Sequence, residues 1–283
     1  MPAVVIVPHQ FRPQALELAE RAIAWLESRG HEVRIPEQEG QLLGLGAHCR
    51  PTGKLLGGLE LAVSLGGDGT MLHTVDLVAD AGVPVLGVNV GNLGYLTEVE
   101  PADLESSLGR FFAGNCRLQA RMTLAVQVSG PDGGFSRTAL NEAVLQKTTS
   151  GHTVRLAISV NGQPFFTCAA DGFIIATPTG STAYNFSARG PIVSPRHRAI
   201  VLTPVSPHTL FDRSLVLNAD DSVQLEVLHH RSAELVVDGT NLGLQAPGHV
   251  VTCSAGAHDA RFVTFGGRDF HQVLKDKFGL ADG

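Results

Sequence analysis

One segment, residues 63–73, constrains the fold of this chain more than any other. It reads Val-Ser-Leu-Gly-Gly-Asp-Gly-Thr-Met-Leu-His, so an apolar, strand-like run is followed by glycines, one aspartate and the start of an apolar-periodic run. This order predicts a strand, a tight glycine loop and a helix. Glycine permits positive φ and close approach of a ligand, and a helix N-terminus favours anions such as phosphate. The segment therefore predicts a phosphate-binding loop.

Asp68 is the unusual member of this loop, because a carboxylate repels the phosphate groups that such a loop attracts. Its presence is explained if it coordinates a metal ion or takes a proton from an attacking hydroxyl. The alternative is a simple glycine turn that carries a solvated aspartate. The strand–loop–helix context favours the functional interpretation, because a phosphate site requires that context.

The composition of the 283-residue chain limits its class. Hydrophobic residues make up 43% and charged residues 17%, which allows a substantial core and argues against disorder. The net charge of −6 argues against a general surface for nucleic acids or anionic membranes. An anionic ligand therefore has to be held by local groups.

The cysteines and the hydropathy pattern indicate a compartment. Cys49, Cys116, Cys168 and Cys253 lie far apart and form no Cys-x-x-Cys pair, so free thiols are favoured over disulfides or a zinc site. No apolar run approaches the length of about 18 residues that a membrane helix needs, and the N-terminus lacks a basic region followed by an apolar one. We expect a soluble cytoplasmic protein.

Strand-like and helical patterns alternate at the start of the chain. Apolar runs typical of strands occur at residues 4–7, 33–35, 61–65 and 83–88. Helical spacing follows Pro13 and continues to Gly30, and it recurs over about residues 70–81. This predicts an α/β domain over residues 1–100 with a doubly wound, Rossmann-like parallel sheet, whose ligands bind at the carboxyl ends of the strands. Residues 37–58 are glycine-rich and poorly patterned, so we expect a mobile loop there.

The pattern changes after a helix expected at 102–113. Turn sequences at 131–134, Asn161-Gly162 and Asp238-Gly239 connect short strands, which predicts an all-β, sandwich-like domain over residues 101–265. A terminal helix within 266–283 is expected to pack back on the first domain. The expected strands lie near 124–128, 154–160, 165–169, 172–177, 199–203, 214–218, 222–228, 234–237, 249–254 and 260–265.

Asn141 and Glu142 interrupt apolar surroundings between two strand-like runs. Asparagine can donate to and accept from one ligand edge, and glutamate accepts two donors such as a ribose diol. A turn between strands is the alternative. The two residues alone favour the turn, because asparagine is a common turn former.

A denser constellation runs from Asp171 to Tyr184, where a buried strand leads into Thr-Pro-Thr-Gly-Ser-Thr and a short helix. Its hydroxyl and N–H groups can hold phosphate or ribose, and Tyr184 can stack on or bond to a base. An ordinary capped helix is the alternative. Three hydroxyls and a glycine in one turn exceed the needs of a cap, which favours a binding function.

The histidines are ambiguous from sequence alone. His73 lies one helical turn past the glycine loop and is either a plain helix residue or a donor to phosphate, and His152 has similar ambiguity. His208 follows a rigid Pro-x-x-Pro bend, so a structural role is favoured over catalysis. The pair His229-His230 has the pattern of a solvated strand end rather than a metal site.

Together these stretches resemble the NAD kinases, which use ATP or polyphosphate to make NADP. The matching motifs are Gly66-Gly67-Asp68-Gly69-Thr70, Asn141-Glu142, the run from Asp171 through Tyr184 to Gly190-Pro191-Ile192, and Pro207-His208-Thr209-Leu210. They occur in the family's order over about residues 60–215. The glycine loop is shared with diacylglycerol, sphingosine and phosphofructo-kinases, whereas the Thr-Pro-Thr-Gly-Ser-Thr-Ala-Tyr run is far more specific to NAD kinases.

The resemblance implies an α/β domain followed by a β-rich domain, and phosphoryl transfer from ATP or polyphosphate to the 2′-hydroxyl of the adenosine ribose of NAD. Asp68 would be the catalytic base, and Asn141 and Glu142 would hold a ribose diol. The implied donor-phosphate ligands are Gly66, Gly67, Gly69 and Thr70. The implied NAD ligands are Asp68, Gly69, His73, Asn141, Glu142, His152, Asp171, Thr182, Ala183, Tyr184, Asn185, Phe186, Ser187 and, from a neighbouring subunit, Asn241.

The resemblance also implies a homodimer or homotetramer. A divalent cation, Mg²⁺, should bridge the donor phosphates and be held by substrate, water and few protein groups, and the sequence assigns no protein ligands to it. Two positions depart from the family pattern: Ala169 stands where some members carry a basic residue, and Asn241 where some have glutamine. Both departures concern ligand contacts rather than the reaction.

Two other functions fit part of the pattern. A lipid or sugar kinase would share the loop, but no stretch provides the apolar acceptor channel or membrane-binding surface that lipid kinases need. A non-catalytic dinucleotide sensor would keep a pocket from Thr182 to Ser187 and would not need Asp68 beside phosphates.

Overall fold

Strands that are buried over their whole length organise the first part of the chain. A strand with both faces covered carries apolar residues continuously, as Ala3–Pro8 does, and Val85–Asn89 is likewise buried throughout, although it ends in the polar Asn89. The structure, a computed structural model, describes residues 2–91, 94–131, 133–148, 152–228, 231–267 and 269–280. It divides into a first unit, Met1–Ala120 with Ala260–Gly283, and a second unit, Arg121–Asp259.

The elements of the first unit precede and follow those of the second in the chain. The first group is β1 Ala3–Pro8, α1 Pro13–Glu27, β2 Glu32–Pro36, α2 Glu37–Leu42, β3 Cys49–Arg50, α3 Thr52–Leu55, β4 Leu59–Gly66, α4 Asp68–Val78, β5 Val85–Asn89, α5 Leu104–Phe112 and β6 Arg117–Arg121. The second unit carries β7 Leu124–Gly130, β8 Gly133–Ala139, β9 Glu142–Lys147, β10 Val154–Val160, β11 Gln163–Ala170, β12 Gly172–Ala176, α6 Tyr184–Ser187, β13 Ala199–Val205, β14 Leu215–Asn218, β15 Val223–Val227, β16 Ala233–Val237, β17 Thr240–Gln245 and β18 Val250–Ala255. The chain ends with β19 Ala260–Thr264 and α7 Phe270–Phe278.

Seven strands form the sheet of the first unit, in the order β3-β2-β1-β4-β5-β19-β6. The pairs from β3 to β5, and the pair of β5 with β19, are parallel. Buried residues of α1, among them Leu18, Ala22 and Leu26, pack with residues of β1 and β4 in one apolar core. The expectation of a parallel α/β sheet is confirmed.

Two expectations for the first unit were wrong. Residues 37–58 are not simply a loop, because they contain α2, α3, the short strand β3 and a 3-10 turn at Gly46–His48. Gly40 allows this packing, since a Cβ there would collide with the Cys49 side chain. The strand expected at 260–265 is present as β19, but it joins the first sheet rather than the β-rich domain. Together with α5 and β6, it makes the first unit longer than residues 1–100 with a terminal helix.

The second unit is a sandwich of two six-stranded antiparallel sheets, as expected. Their orders are β11-β10-β15-β18-β7-β8 and β14-β13-β12-β9-β16-β17. Alternate residues point into a shared core; Ala233, Leu235 and Val237 of β16 are examples. The Asn161-Gly162 turn adopts positive φ at both residues, 53° and 72°, which is the expected tight hairpin. Of the expected turn at 131–134, Asp132 lies outside the described residues, and β7 and β8 pair on either side of it.

The central strands β12 and β13 are buried on both faces. One face lies in the sandwich core. On the other, Ile174 and Val201 pack with Ala188 and Val193 from the segment that follows β12. This packing fixes the segment that carries the Thr-Pro-Thr-Gly-Ser-Thr run. None of the helices in the described ranges is both long and apolar enough to cross a bilayer.

Candidate active site

The glycine loop forms the junction of β4 and α4. β4 ends at Gly66, Gly67 precedes the helix, and Asp68 is the first residue of α4. Within the described ranges, no side-chain hydrogen bond caps this first turn, so its backbone N–H groups are available to an anion. The predicted strand, loop and helix are confirmed.

The glycines of this loop serve close packing and open space rather than an unusual backbone. None of the three has positive φ, which corrects the sequence expectation. A Cβ on Gly66 would collide with the side chain of Thr70, so Gly66 lets the first turn of α4 lie against the end of β4. A Cβ on Gly67 or Gly69 would meet no atom within 4 Å, so these positions border open space at the helix N-terminus.

The Asp68 carboxylate is held by the backbone of a neighbouring loop. The Tyr95 N–H donates to Oδ2 at 2.9 Å, and the Leu96 N–H donates to Oδ1 at 2.9 Å. A Cβ at Gly94 would collide with the carboxylate, so a glycine is required where the chain passes. Two donors fix the orientation of the group, while each oxygen keeps a lone pair for a further partner.

Asp68 lines a cavity of about 340 Å³ within the first unit. The other walls are the turn at residues 8–12, the glycine loop, Glu39 and His73. The volume is within the range of small-molecule sites, about 300–1,000 Å³. Arg12 brings a permanent positive charge to this wall, and its guanidinium lies against Gly91, where a Cβ would collide with it.

A charged pair lies in the wall of the same cavity. His73 Nε2 is 2.9 Å from Glu39 Oε1, and Gln10 Nε2 donates to that oxygen at 3.3 Å. The hydrogen bond with Glu39 raises the pKa of His73, with burial opposing it. Burial alone would raise the pKa of Glu39, but hydrogen bonds from His73, its own backbone and Gln10 outweigh it and lower that pKa. Both shifts favour the charged forms of the two side chains, so the pairing stabilises an ion pair of imidazolium and carboxylate.

In the second unit, Asn141 and Glu142 lie at the start of β9 and are held by Asp238. The Asp238 carboxylate accepts the backbone N–H groups of Leu140 at 2.6 Å, Asn141 at 2.9 Å and Glu142 at 2.9 Å. The Asp238 N–H donates to the Glu142 carbonyl at 3.0 Å. Sequence reasoning identified Asp238 only as a turn residue and missed this role.

Glu142 is buried, and its Oε2 has no hydrogen-bond partner in the described part of the protein. Burial, and then the charge of Asp238, raise the pKa of Glu142 to about 8, while a hydrogen bond from the Tyr184 backbone opposes them. Buried polar atoms are normally satisfied, so an orphaned oxygen indicates a missing donor such as a ligand hydroxyl.

The turn at 177–180 packs directly on this pair of residues. The Thr177 N–H donates to the Asn141 carbonyl at 2.8 Å, and the Thr177 hydroxyl donates to the Leu140 carbonyl at 2.5 Å. A Cβ at Gly180 would collide with the Asn141 carbonyl. Two motifs recognised separately in the sequence are thus in contact. The Thr179 hydroxyl, one of those in the Thr-Pro-Thr-Gly-Ser-Thr run, is also buried and has no hydrogen-bond partner among the described residues.

The residues after this turn divide into buried and open groups. The fully buried Asn185 donates from Nδ2 to the carbonyls of Ser181 at 3.0 Å and Pro191 at 3.1 Å, and it accepts the Thr203 hydroxyl at 2.6 Å. Its side chain therefore supports the segment from inside. The predicted ligands that are at least partly open to solvent are Thr182, Ala183, Tyr184, Phe186 and Ser187.

The remaining predicted residues of the second unit have varied surroundings. Asp171 Oδ1 accepts Lys147 Nζ at 2.7 Å. Asn241 is exposed and donates to Glu234 at 2.6 Å. His152 is exposed ahead of β10, and the backbone N–H of His208 donates to the Ala169 carbonyl at 2.8 Å. The pair His229-His230 lies outside the described residues.

The metal and thiol chemistry of the described residues is limited. Within those ranges, no group of three or more His, Cys, Asp or Glu side chains is placed to hold a metal ion. All four cysteines are free. The open helix N-terminus, the oriented carboxylate and the cavity are the features expected of a phosphotransferase.

Comparison with known proteins gives the family. The model for the ATP-NAD kinase N-terminal domain matches residues 4–116, and that for the ATP-NAD kinase C-terminal domain matches residues 140–265. The NAD kinase of Heliobacterium modesticaldum is 41% identical over 283 residues, covering 98% of each chain. That of Methanopyrus kandleri is 35% identical over 266 residues, covering 94% of this chain and 93% of its own.

Two solved structures share the fold. Yeast NADH kinase complexed with NADH has a TM-score of 0.91 at 24% identity, covering 100% of this chain and 89% of that chain. An NAD kinase from Archaeoglobus fulgidus in complex with ATP has a TM-score of 0.73 at 25% identity, covering 99% and 98%. The chain belongs to the NAD kinase family, as the sequence motifs predicted, and is a kinase that phosphorylates NAD with ATP. This decides against the lipid kinase, the sugar kinase and the non-catalytic sensor.

Proposed function

We propose that the reaction places the phosphoryl group on the 2′-hydroxyl of the adenosine ribose of NAD, with Asp68 as the general base. The observation that carries this proposal is the clamping of the Asp68 carboxylate by the N–H groups of Tyr95 and Leu96 at the wall of a cavity. A carboxylate with fixed orientation and a free lone pair is suited to accept the proton of a hydroxyl nucleophile. Its place at an open helix N-terminus puts it beside the expected phosphates.

The donor phosphates bind, on this proposal, to the N–H groups at Gly67, Gly69 and Thr70, while Gly66 contributes through packing. Polyphosphate is the alternative donor to ATP. Bound Mg²⁺ would neutralise charge on the donor phosphates. The side chains fit a cation held chiefly by substrate and water, since both Asp68 oxygens already accept N–H groups and no three-ligand cluster occurs among the described residues.

The acceptor dinucleotide is held, on this proposal, by the second unit. The orphaned Glu142 oxygen and the Asn141 amide take a ribose diol. The open side chains between Thr182 and Ser187 contact the rest of NAD, with Tyr184 against a base, and Asn185 supports them from inside. Asp171, His152 and Asn241 remain candidate NAD ligands, whereas we assign His73, which lines the cavity at the glycine loop, to the donor phosphates.

A product assay tests the position of transfer and the donor. Purified protein is incubated with Mg²⁺, ATP or polyphosphate, and NAD or NADH, and the product is identified by ³¹P NMR and mass spectrometry. We expect a 2′-phosphorylated dinucleotide as the product. Its formation should stop when EDTA removes the cation. Transfer to the 3′-hydroxyl, or unchanged turnover with EDTA, would contradict the proposal.

We also propose a homodimer or homotetramer in the cytoplasm. An aromatic cluster supports association: Phe165 on the edge strand β11 is 47% exposed, and its ring centroid is 5.9 Å from that of Phe211. Four free cysteines support a reducing compartment. Light scattering across a concentration series tests the assembly, and a monomer at all concentrations would contradict it.

A further inference from the structure

A buried carboxylate in the wall of the donor cavity has no role in the reaction as described so far. We propose that Glu39 is a positioning residue for the phosphoryl donor, which it serves by holding His73 as a cation against the donor's phosphates. The inference rests on the proposed function, because it takes this cavity as the donor site. Sequence reasoning placed Glu39 in a loop and assigned it nothing.

The burial of Glu39 requires a reason. The residue is only 4% exposed, although it lies on the short helix α2 at the surface of the sheet. A buried carboxylate is costly unless it is paired and hydrogen-bonded. Its partners come from two other elements, His73 from α4 and Gln10 from the turn after β1. Three elements therefore converge on one carboxylate at the cavity wall.

In this pair, the His73 side chain is exposed and the Glu39 side chain is buried. The His73 side chain is 52% exposed, whereas that of Glu39 is 5% exposed, and both residues line the cavity. A phosphate entering the cavity would therefore meet the imidazolium, with the carboxylate behind it. The other charged or titratable groups facing His73 are Asp68, His9 and Arg12 in the same wall and Asp76 on its own helix.

The arrangement makes donor binding depend on pH. The hydrogen bond that His73 donates to Glu39, opposed by burial and aided by the charges of Glu39 and Asp76, raises the pKa of His73 above its ordinary value. The imidazolium is complete at acidic pH and is lost as the pH rises through the raised pKa. Donor affinity should fall over that interval. Without Glu39 the same fall should occur at lower pH.

The test is the variant Glu39→Gln, which keeps the shape of the side chain and removes its charge. KM for ATP and for NAD is measured from about pH 5.5 to 9, and the His73 ring is titrated by NMR. We expect KM for ATP at pH 7.5 to rise about three- to tenfold, less than the full effect of one charged hydrogen bond because His73 is half exposed. KM for NAD should stay unchanged, and the His73 titration should move to lower pH.

Two further variants separate positioning from general damage. Glu27→Gln is the matched control, since His48 Nε2 lies 2.9 Å from Glu27 Oε1 in the same unit and neither residue lines the cavity. We expect it to leave both KM values and their pH dependence unchanged. Adding His73→Arg to Glu39→Gln supplies a permanent cation, so KM for ATP should recover and lose its pH dependence.

The outcomes are distinguishable. If the wild-type protein phosphorylates NAD and Glu39→Gln keeps the wild-type pH profile of KM for ATP, or raises both KM values alike, the positioning role is overturned. If the wild-type protein makes no 2′-phosphorylated dinucleotide, the proposed function itself fails. If Glu39→Gln does not fold, His73→Gln decides, because an unchanged KM for ATP in that variant overturns the inference and a selective rise supports it.

Discussion

Asp68 in the first unit and Glu142 in the second are two carboxylates with opposite surroundings. Asp68 accepts two backbone N–H groups before any ligand arrives. Glu142 is buried with an oxygen that has no partner in the described structure, and its pKa is raised to about 8. A group that is already satisfied is oriented for chemistry, whereas a group that lacks a donor gains most from binding one. On the proposed function, the difference predicts that Asp68 chiefly affects turnover and that Glu142 chiefly affects affinity.

The two regions also differ in which group the protein holds. In the first unit the backbone at Tyr95 and Leu96 holds the functional carboxylate itself. In the second, Asp238 holds the backbone that carries the functional carboxylate. Variants at these positions can therefore test the two arrangements separately.

The largest effect is expected for Asp68→Asn. The amide cannot act as a base, so kcat should fall about 10²–10⁴-fold, while the dissociation constant for NAD changes little. Steady-state kinetics and calorimetry with NAD measure the two quantities, and a thermal melt checks the fold. Near-normal kcat would remove Asp68 from the role of base.

The next effect is expected for Glu142→Ala, which removes the group assigned to the ribose. A ligand hydroxyl that loses its buried partner costs about 1–3 kcal/mol, so NAD affinity should fall about tenfold. Calorimetry measures this directly. An unchanged dissociation constant would contradict the assignment of affinity to Glu142.

Glu142→Gln sharpens the same contrast through stability. The pKa of Glu142 in the folded protein, about 8, lies above its ordinary value, so protonated Glu142 stabilises the fold. This contribution to the free energy of unfolding is complete below the ordinary carboxyl pKa and is lost as the pH rises toward 8. The free energy of unfolding of the glutamine variant should therefore increase relative to that of the wild type as the pH rises. The difference at pH 8 should be at least about 1.4 kcal/mol, which corresponds to one pKa unit. Denaturant unfolding at pH 5 and 8 measures the difference, and equal pH dependence would contradict the raised pKa.

A smaller effect on binding is expected for Asp238→Ala. Three buried N–H groups lose their shared acceptor, which should cost about 1–3 kcal/mol of unfolding free energy and weaken NAD binding a few-fold. Asp238→Asn is the matched control because it keeps one acceptor oxygen. If both variants unfold like the wild type, Asp238 does not hold this turn.

The smallest effect is expected for Lys277→Ala in α7. Its Nζ lies 4.3 Å from the centroid of the Tyr95 ring, and the Tyr95 N–H holds Asp68. An exposed cation–π contact contributes about 0.5–1 kcal/mol, so kcat should change by less than about fivefold. Lys277→Arg should behave as the wild type. A loss of kcat as large as that of Asp68→Asn would reverse the ranking.

The sequence correctly predicted the structural features that depend on residues adjacent in the chain. The strand, the glycines and the start of α4 are contiguous, and their order alone predicts the junction that carries Asp68. The expectation of positive φ at the loop glycines was wrong. Glycine is needed for close packing instead, because Gly66 lies against the Thr70 side chain and Gly94 lies against the Asp68 carboxylate. A composition pattern does not distinguish these two uses of glycine.

What the sequence did not predict depends on residues that are distant in the chain. Asp238 acts on the backbone at 140–142, and Glu39 acts on His73, so neither role has a local signature. The strand pattern of β19 was correct, but a period of two does not specify which sheet a strand joins. Asn185 matched a ligand motif, although its amide is bonded inside the fold.

The placement of β19 has a consequence for how the protein is made. β19 pairs with β5, and the whole second unit lies between them in the chain. During synthesis, all strands of the second unit are available once Ala255 has emerged from the ribosome. At that point the outer edge of β5 still lacks β19, the strand that pairs with it. An open strand edge invites aggregation and proteolysis. A chain truncated after the second unit would therefore expose this edge of β5, and we expect it to aggregate or be degraded rather than to fold as a weak kinase.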